Sequence, residues 1–327
     1  MPKVSVVIPL FNKGPHIARA IESVLCQSEQ RFEIIVVDGQ STDEGVEVVK
    51  SITDPRVALH DQKGRGVSSA RNEGVLQSCS NMIAFLDADD EWMPDHLETL
   101  LRLRNRYPGA GAYTTAYCIK KNGSKIEPAE FYKIIEGDLE GLMPNYFKSA
   151  AFGSPPIWTS AACVPKSILL EMGGFATDAW WGEDIDLWGK IALKYPIAFS
   201  HYGRSIYHTD ALNRACKRVE PVRENIFVSY AKDAITKGMV PPWAEEYITE
   251  YIALKTIETA WRNISANRPD LARINLKDCK TKYFRISRYW AMLWACIPSE
   301  MFFQLEQHAS NPEIIYNILH IPKQYKT

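Results

Sequence analysis

Four short apolar runs in the first hundred residues alternate with stretches of helical spacing, and this alternation limits the fold more than any other feature. Val4–Pro9 is a nearly continuous β-branched run, the pattern of a strand buried on both faces. Ile17, Ala20, Ile21, Val24 and Leu25 then recur at helical spacing. A second buried strand, Phe32–Asp38, ends in Gly39-Gln40-Ser41. Ser41 and Glu44 have capping-box spacing and predict a helix start there, carrying Val46, Val48 and Val49. Val57–His60 predicts a third strand, Gly66 to Ser78 a helix, and Met82–Asp87 a fourth strand. Strands that alternate with helices need parallel crossovers, hence an α/β sheet. In such sheets ligands bind beyond the carboxyl ends of the strands. Those ends are Pro9–Asn12, Asp38–Ser41, His60–Gly64 and Asp87–Asp90, and three of the four carry aspartate.

From Ala110 to His208 the pattern is less regular. Ala112–Lys120 and Ile157–Val164 are strand-like, Glu136–Phe147 is helical, and a helix is expected from Glu183 to Lys194. Beyond Ala215 the spacing is helical, with amphipathic stretches at Asn225–Lys237 and Glu245–Ala266. The expected organisation is an α/β domain over 1–214 and a helical region over 215–327. Hydrophobic residues at 46% and charged residues at 24% exclude a disordered chain. A net charge of 38 − 39 = −1 argues against a whole-protein grip on nucleic acid. Seven scattered cysteines without a Cys-x-x-Cys pair argue against a disulfide framework and fit a reducing compartment. With no signal-type h-region and no long apolar window, the expected location is cytoplasmic.

Three segments could carry chemistry. Met82-Ile83-Ala84-Phe85-Leu86-Asp87-Ala88-Asp89-Asp90 runs a buried strand into a carboxylate triplet. In an extended turn Asp87 and Asp89 point to one side, and hard oxygen ligands so placed suit Mg2+ or Mn2+. The structural reading is a capped turn into a helix at Pro94, and the two are compatible. A second acidic group, Glu183-Asp184-Ile185-Asp186, falls where a helix should begin, behind Gly173-Gly174-Phe175 and Trp180-Trp181. Carboxylates there either favour the helix N-terminus or supply a general base to an attacking hydroxyl. The tryptophans either pack in the core or offer flat faces to a sugar ring. The third segment, Asp61–Asn72, holds Gly64, Gly66, Lys63, Arg65 and Arg71, a cationic loop suited to a diphosphate or simply a solvated one. It is not a dinucleotide fingerprint, because Ser69 stands at the third glycine position and Asp61–Lys63 intervenes after the strand. His208 follows the strand-like Ile197–Tyr207, and spacing alone does not make it a ligand.

In this order the motifs resemble the family 2 glycosyltransferases over roughly residues 3 to 210. Val4–Asn12 looks like the family's opening strand, Glu33–Asp38 its second strand, and Gly66–Asn72 its nucleotide-side helix. Asp87-Ala88-Asp89 matches its metal motif, and Gly173-Gly174-Phe175 with Glu183-Asp184 matches its acceptor loop and base motif. The resemblance implies a GT-A fold, the Rossmann-like mixed sheet of nucleotide-diphospho-sugar transferases, with a helical C-terminal extension. It implies an inverting transfer from a nucleotide sugar, a UDP-sugar by preference, to a saccharide or lipid-linked saccharide. Pro9, Asp38, Arg71, Asp87 and Ala88 would then lie on the nucleotide. Asp89 and His208 would hold Mn2+ or Mg2+, Asp184 would be the base, and Trp180, Trp181 and Glu183 would face the sugars. Many members carry Asp-Asp-Gly-Ser after the second strand, whereas this chain has Asp38-Gly39-Gln40-Ser41, one carboxylate fewer. The rival readings are a metal-dependent nucleotidyltransferase, which has no use for Glu183-Asp184 behind a Trp pair, and a non-catalytic sugar- or membrane-binding module. The presence of Asp87, Asp89 and Asp184 together argues against the second.

Between Lys255 and Arg288 nine Lys/Arg face three acids, a local +6, so the remainder of the chain sums to −7. Tyr289–Pro298, rich in tryptophan, follows directly, and then Met301-Phe302-Phe303. A basic helix beside such a segment suits docking of 255–305 on an anionic membrane surface. The structural reading is a helical cap whose aromatics pack inward. A homo-oligomer contact is a further candidate.

Overall fold

The computed structural model describes residues 1–121, 125–135, 137–211, 214 and 218–297. In chain order the α/β part runs β1 (Val4–Leu10), α1 (Gly14–Leu25), β2 (Phe32–Asp38), α2 (Gly45–Ser51), β3 (Val57–Asp61), α3 (Gly66–Gln77) and β4 (Met82–Phe85). It continues through β5 (Glu91–Trp92), α4 (His96–Arg106), β6 (Ala112–Lys120), β7 (Ile126–Pro128), β8 (Glu140–Leu142), α5 (Tyr146–Phe152), β9 (Ala162–Pro165), α6 (Lys166–Glu171), α7 (Glu183–Lys194) and β10 (Ile197–His208). The helices α8 (Ile226–Thr236), α9 (Pro242–Ser265), α10 (Pro269–Lys277) and α11 (Arg285–Cys296) follow.

The β-branched runs form the centre of one sheet because they have neighbours on both faces. Val4, Val6, Val7 and Ile8 of β1 are fully buried, and β1 pairs in parallel with β2 on one side and β4 on the other. The described strands are ordered β3-β2-β1-β4-β9-β6-β10-β5, with β7 on β6 and β8 on β10. β9 runs antiparallel to both β4 and β6, which makes the sheet mixed. All three parallel neighbours β2, β1 and β4 therefore present their carboxyl ends along one edge. α3 lies close over β1: a Cβ at Gly74 would stand 2.3 Å from Val7 Cγ1, so glycine there sets the depth of the helix.

Four expectations need correction. The capping box at Ser41 and Glu44 does not form; α2 begins at Gly45 with no side-chain bond from Glu44. Asp43 takes the role instead, one oxygen accepting from Gly45 N at 3.0 Å and the other from Gly14 N at 2.8 Å, so it serves the starts of α2 and α1 together. The fourth strand stops at Phe85, leaving Leu86–Asp90 as a turn rather than its extension. The helix expected at Pro94 starts instead at His96, because Glu91–Trp92 is drawn into the sheet against β10. Residues 137–145 are not helical: Glu140–Leu142 pair with β10, and the buried Glu140 carboxylate is held by Arg102 Nη2 at 2.5 Å and Ser200 Oγ at 3.2 Å. Glu136 lies outside the described residues.

The chain divides into two compact units: 1–146 with 154–214, and Phe147–Gly153 with the described residues from 218 onward. In the second, α9 packs against α8, α10 and α11. Phe147, Phe227 and Tyr251 form its aromatic centre, with ring centroids 5.6–5.9 Å apart. Buried Asn263 bonds Val222 O and Asn275 Oδ1, each at 2.8 Å. Buried Glu250 accepts from Thr281 Oγ1 and Lys282 N, each at 2.6 Å, fixing the loop before α11. Among the described residues no helix is long and apolar enough to cross a membrane.

Candidate active site

The site lies in the first unit, at the carboxyl ends of β1, β2 and β4. Asp38 closes β2 and is buried, its carboxylate turned back onto its own turn, where it accepts from Gln40 N at 3.0 Å and Ser41 N at 3.2 Å. Gln40 takes φ +66°, the left-handed region that permits so tight a turn. Asn12, at φ +51°, closes the neighbouring end: its Oδ1 accepts from Thr42 N at 2.7 Å, and its N donates to Ser41 Oγ at 3.0 Å. These bonds are why Ser41 is not a helix cap. Pro9 stands on β1 in register with Val37.

The acidic turn after β4 is wired into the sheet by a 3₁₀ turn at Thr159–Ala161. Ser160 Oγ accepts from Asp87 N at 3.1 Å and donates to Asp90 Oδ2 at 2.6 Å; Trp158 Nε1 donates to the same oxygen at 3.1 Å. Asp90 is fully buried, and burial, with Asp87 and Asp89 nearby, raises its carboxyl well above the usual range. Asp90 is thus the structural member of the triplet. Ala88 is buried between the two acids that face the site. Asp89 meets the Lys13 ammonium at 2.7 Å, and its carbonyl oxygen accepts from Arg19 Nη2 at 2.5 Å.

Arg71 joins the two acidic motifs. Its side chain is 5% exposed; Nη2 donates to Asp87 Oδ1 at 2.7 Å and Nη1 to Glu183 Oε1 at 3.0 Å. Burial opposes its charge, but Asp87 and Glu183 more than offset this and raise its pKa. The guanidinium also lies 5.0 Å from the Phe175 ring centroid, above a cluster in which Phe175 meets Phe85 at 5.1 Å and Trp188 at 5.7 Å. Glu183 is pushed up to about 7 by burial and by Asp184 beside it, with Arg71 opposing. Both acids open α7 after Gly182 at φ +83°, and Asp184 Oδ1 accepts from Ile185 N at 2.7 Å. Trp180 and Trp181 are half-buried in the loop that leads into α7.

The loop Gly173-Gly174-Phe175 is clamped to α3 by Asn72. Phe175 N donates to Asn72 Oδ1 at 2.8 Å, and Asn72 Nδ2 donates to Phe175 O at 2.7 Å. Gly174 has φ +70°, and a Cβ there would stand 2.5 Å from Asn72 Oδ1, so a glycine is required on both counts. Glu73, one residue on, accepts from Lys63 N at 2.8 Å and Gly64 N at 2.9 Å and so holds the cationic loop.

His208 ends β10, fully buried, with Nε2 3.0 Å from Glu91 Oε1 and Nδ1 3.7 Å from Asp210 Oδ1. The bond with His208 lowers the Glu91 pKa. Among the described residues no three His, Cys, Asp or Glu side chains converge on one point. The donor chemistry nevertheless fits a hard divalent cation: an aspartate that already faces a positive charge, and a histidine backed by a carboxylate as metal-bound imidazoles commonly are.

Of the residues singled out in the sequence, the structure brings Arg71, Asp87, Glu183 and Asp184 into one cluster. Asp89 adjoins it through the acidic turn, and His208 N donates to Asp90 Oδ1 at 3.1 Å, so His208 reaches that turn through Asp90. The described bonds of the Asp38 carboxylate stay within its own turn. The sequence does not signal Lys13, Glu91 and Ser160, or the clamp that Asn72 makes on Phe175. Their partners lie between 70 and 120 residues away in the chain, and no local spacing signals them.

A mixed sheet with acidic strand ends, and a helix whose first turn faces them with two carboxylates, is the GT-A architecture of nucleotide-sugar transferases. The chain superposes with a TM-score of 0.58 on S. aureus TarS 1–349 in complex with UDP-GlcNAc, at 15% identity over 90% of this chain and 79% of that one. The mannosyltransferase PcManGT from Pyrobaculum calidifontis, in complex with GDP-Man and Mn2+, gives a TM-score of 0.58 at 20% identity over 93% of this chain and 87% of that one. Residues 5–164 match the model of glycosyl transferase family 2. An uncharacterised glycosyltransferase of Rickettsia felis is 30% identical over 197 residues, 60% of this chain. This chain spans 31% of that relative's length.

Proposed function

We propose that the chain transfers a sugar from a nucleoside diphosphate sugar, a UDP-sugar by preference, to a hydroxyl of a saccharide or lipid-linked saccharide, with inversion. The bridge of Arg71 between Asp87 and Glu183 carries this reading, because it ties a nucleotide-side acid to the acceptor-side motif through one buried cation. The nucleotide would lie along Pro9, Asp38, Asp87 and Ala88 at the strand ends. The Asp184 carboxylate takes the proton of the acceptor hydroxyl as its oxygen bonds to the anomeric carbon. The bond from that carbon to the diphosphate oxygen breaks with its electron pair, and the nucleoside diphosphate leaves from the opposite face. Asp89 and His208 would hold Mn2+ or Mg2+, which supplies charge neutralisation to the leaving phosphates. Lys13 and Arg19 keep the Asp89 turn in place. Arg71 holds Glu183 beside Asp184, and Trp180 and Trp181 would bound the sugar side.

Asp184→Asn tests the base. The variant is expected to bind UDP as the parent does while losing transfer by at least about a hundredfold, the ordinary worth of a general base. Transfer at the parent rate would remove Asp184 from that role.

A further inference from the structure

We propose that α11 docks on an anionic lipid surface through its outward face. Ser287, Ala291 and Ala295, four residues apart, are its buried side, turned toward α9 and α10. Trp294 is tied to the same layer, its ring 6.5 Å from that of Trp261. The opposite side is apolar and open: Ile286, Tyr289, Trp290 and Leu293 are 55%, 64%, 40% and 41% exposed. Their spacing of three, one and three places them in a single stripe along the helix. Ile274, 65% exposed, adds apolar surface from the neighbouring α10. A helix that buries alanine and serine and exposes isoleucine, tyrosine, tryptophan and leucine is oriented for something outside its own unit.

Charge selects the occupant. Lys277, Lys280 and Arg285 are exposed and lead into the stripe, Lys282 beside them pairs with Glu246 of α9 at 3.1 Å, and Asp278 is the sole acid from 277 to 297. A second copy of the chain would bring like charges against this rim, whereas anionic headgroups complement it. Tyrosine and tryptophan on the apolar stripe suit the boundary between headgroups and acyl chains. At twelve residues, α11 would lie in the plane of the surface. The docking expected over 255–305 thus narrows to α10 and α11; residues 298–305 lie outside the described residues.

Flotation of the full chain with vesicles tests this, using phosphatidylcholine alone and phosphatidylcholine with phosphatidylglycerol. The parent is expected to float with the anionic vesicles at low salt, to float poorly with the neutral ones, and to release as salt rises. Trp290→Glu with Leu293→Glu should lower anionic-vesicle binding at least about tenfold, and Lys280→Glu with Arg285→Glu should do the same through charge alone. All four positions are exposed, and circular dichroism verifies that each variant is folded. Absence of flotation by the parent, or undiminished binding by both variants, would overturn the proposal. So would conversion of a dimer to a monomer by Trp290→Glu with no change in lipid binding, which would make the face a contact between copies.

Discussion

Arg71 is the residue on which the site's electrostatics turn. It is nearly inaccessible and donates to two carboxylates from separate motifs of the candidate site. Removing one partner of a buried ion pair leaves the others uncompensated, so Arg71→Met should destabilise the chain by about 3 kcal/mol, read from urea unfolding. Glu183 gives a pH signature. Its carboxyl, raised to about 7 in the folded chain by burial and Asp184, has an ordinary value of about 4.3 when unfolded. Between these values the folded chain keeps a proton that the unfolded chain has released. Its stabilising contribution is therefore complete below about pH 4.3 and lost as pH rises through about 7. Glu183→Gln mimics the protonated form. The unfolding free energy of the parent minus that of the variant should fall across this window, and a flat difference would return Glu183 to ordinary behaviour.

At the scale of elements, α3 does two things at once. Its inner face reaches β1 only because residue 74 is glycine, and its site face delivers Arg71 and Asn72. Gly74→Ala improves helix propensity but forces a methyl into Val7. The expected net effect is a loss of about 1–3 kcal/mol, with reduced transfer because Arg71 and Asn72 move with the helix. Unfolding at the parent's midpoint would show that α3 can shift without strain. The element pattern was largely legible beforehand: the α7 bounds, the parallel strands and the crossovers all follow from short-range periodicity. Local spacing fails where a distant partner overrides local preference. Glu140–Leu142 are drawn into the sheet by β10 and by Arg102 and Ser200. Ser41 loses its capping role to Asn12, and Asp43 takes it because it can reach both α1 and α2.

At the scale of the whole molecule, a ligand that binds only the folded chain stabilises it as RT ln(1 + [L]/Kd). UDP with Mn2+ at about a hundred times Kd should add about 2.7 kcal/mol, visible as a raised Tm. Asp89→Ala should retain the smaller shift given by UDP alone and lose the increment from Mn2+. An unchanged metal increment would refute the ligand role of Asp89. The near-zero net charge divides along the chain as +6 in 255–288 and −7 elsewhere. The α/β unit therefore does not share the cationic character of residues 255–288.

By itself the sequence determined the α/β class, the edge of the sheet that holds the candidate site, and the two acidic motifs there. These are consequences of periodicity and of a strand's direction, which nearest neighbours encode. The tertiary structure decided which acids face the candidate site and which are buried. Asp90 became a structural partner of Ser160 and Trp158, while Asp89 stayed at the site facing Lys13. It also decided that Arg71 spans Asp87 and Glu183, and that α11 shows Trp290 outward. Such facts depend on what faces a side chain across 70 or more residues of chain, and burial and charge pairing are fixed only when those residues meet.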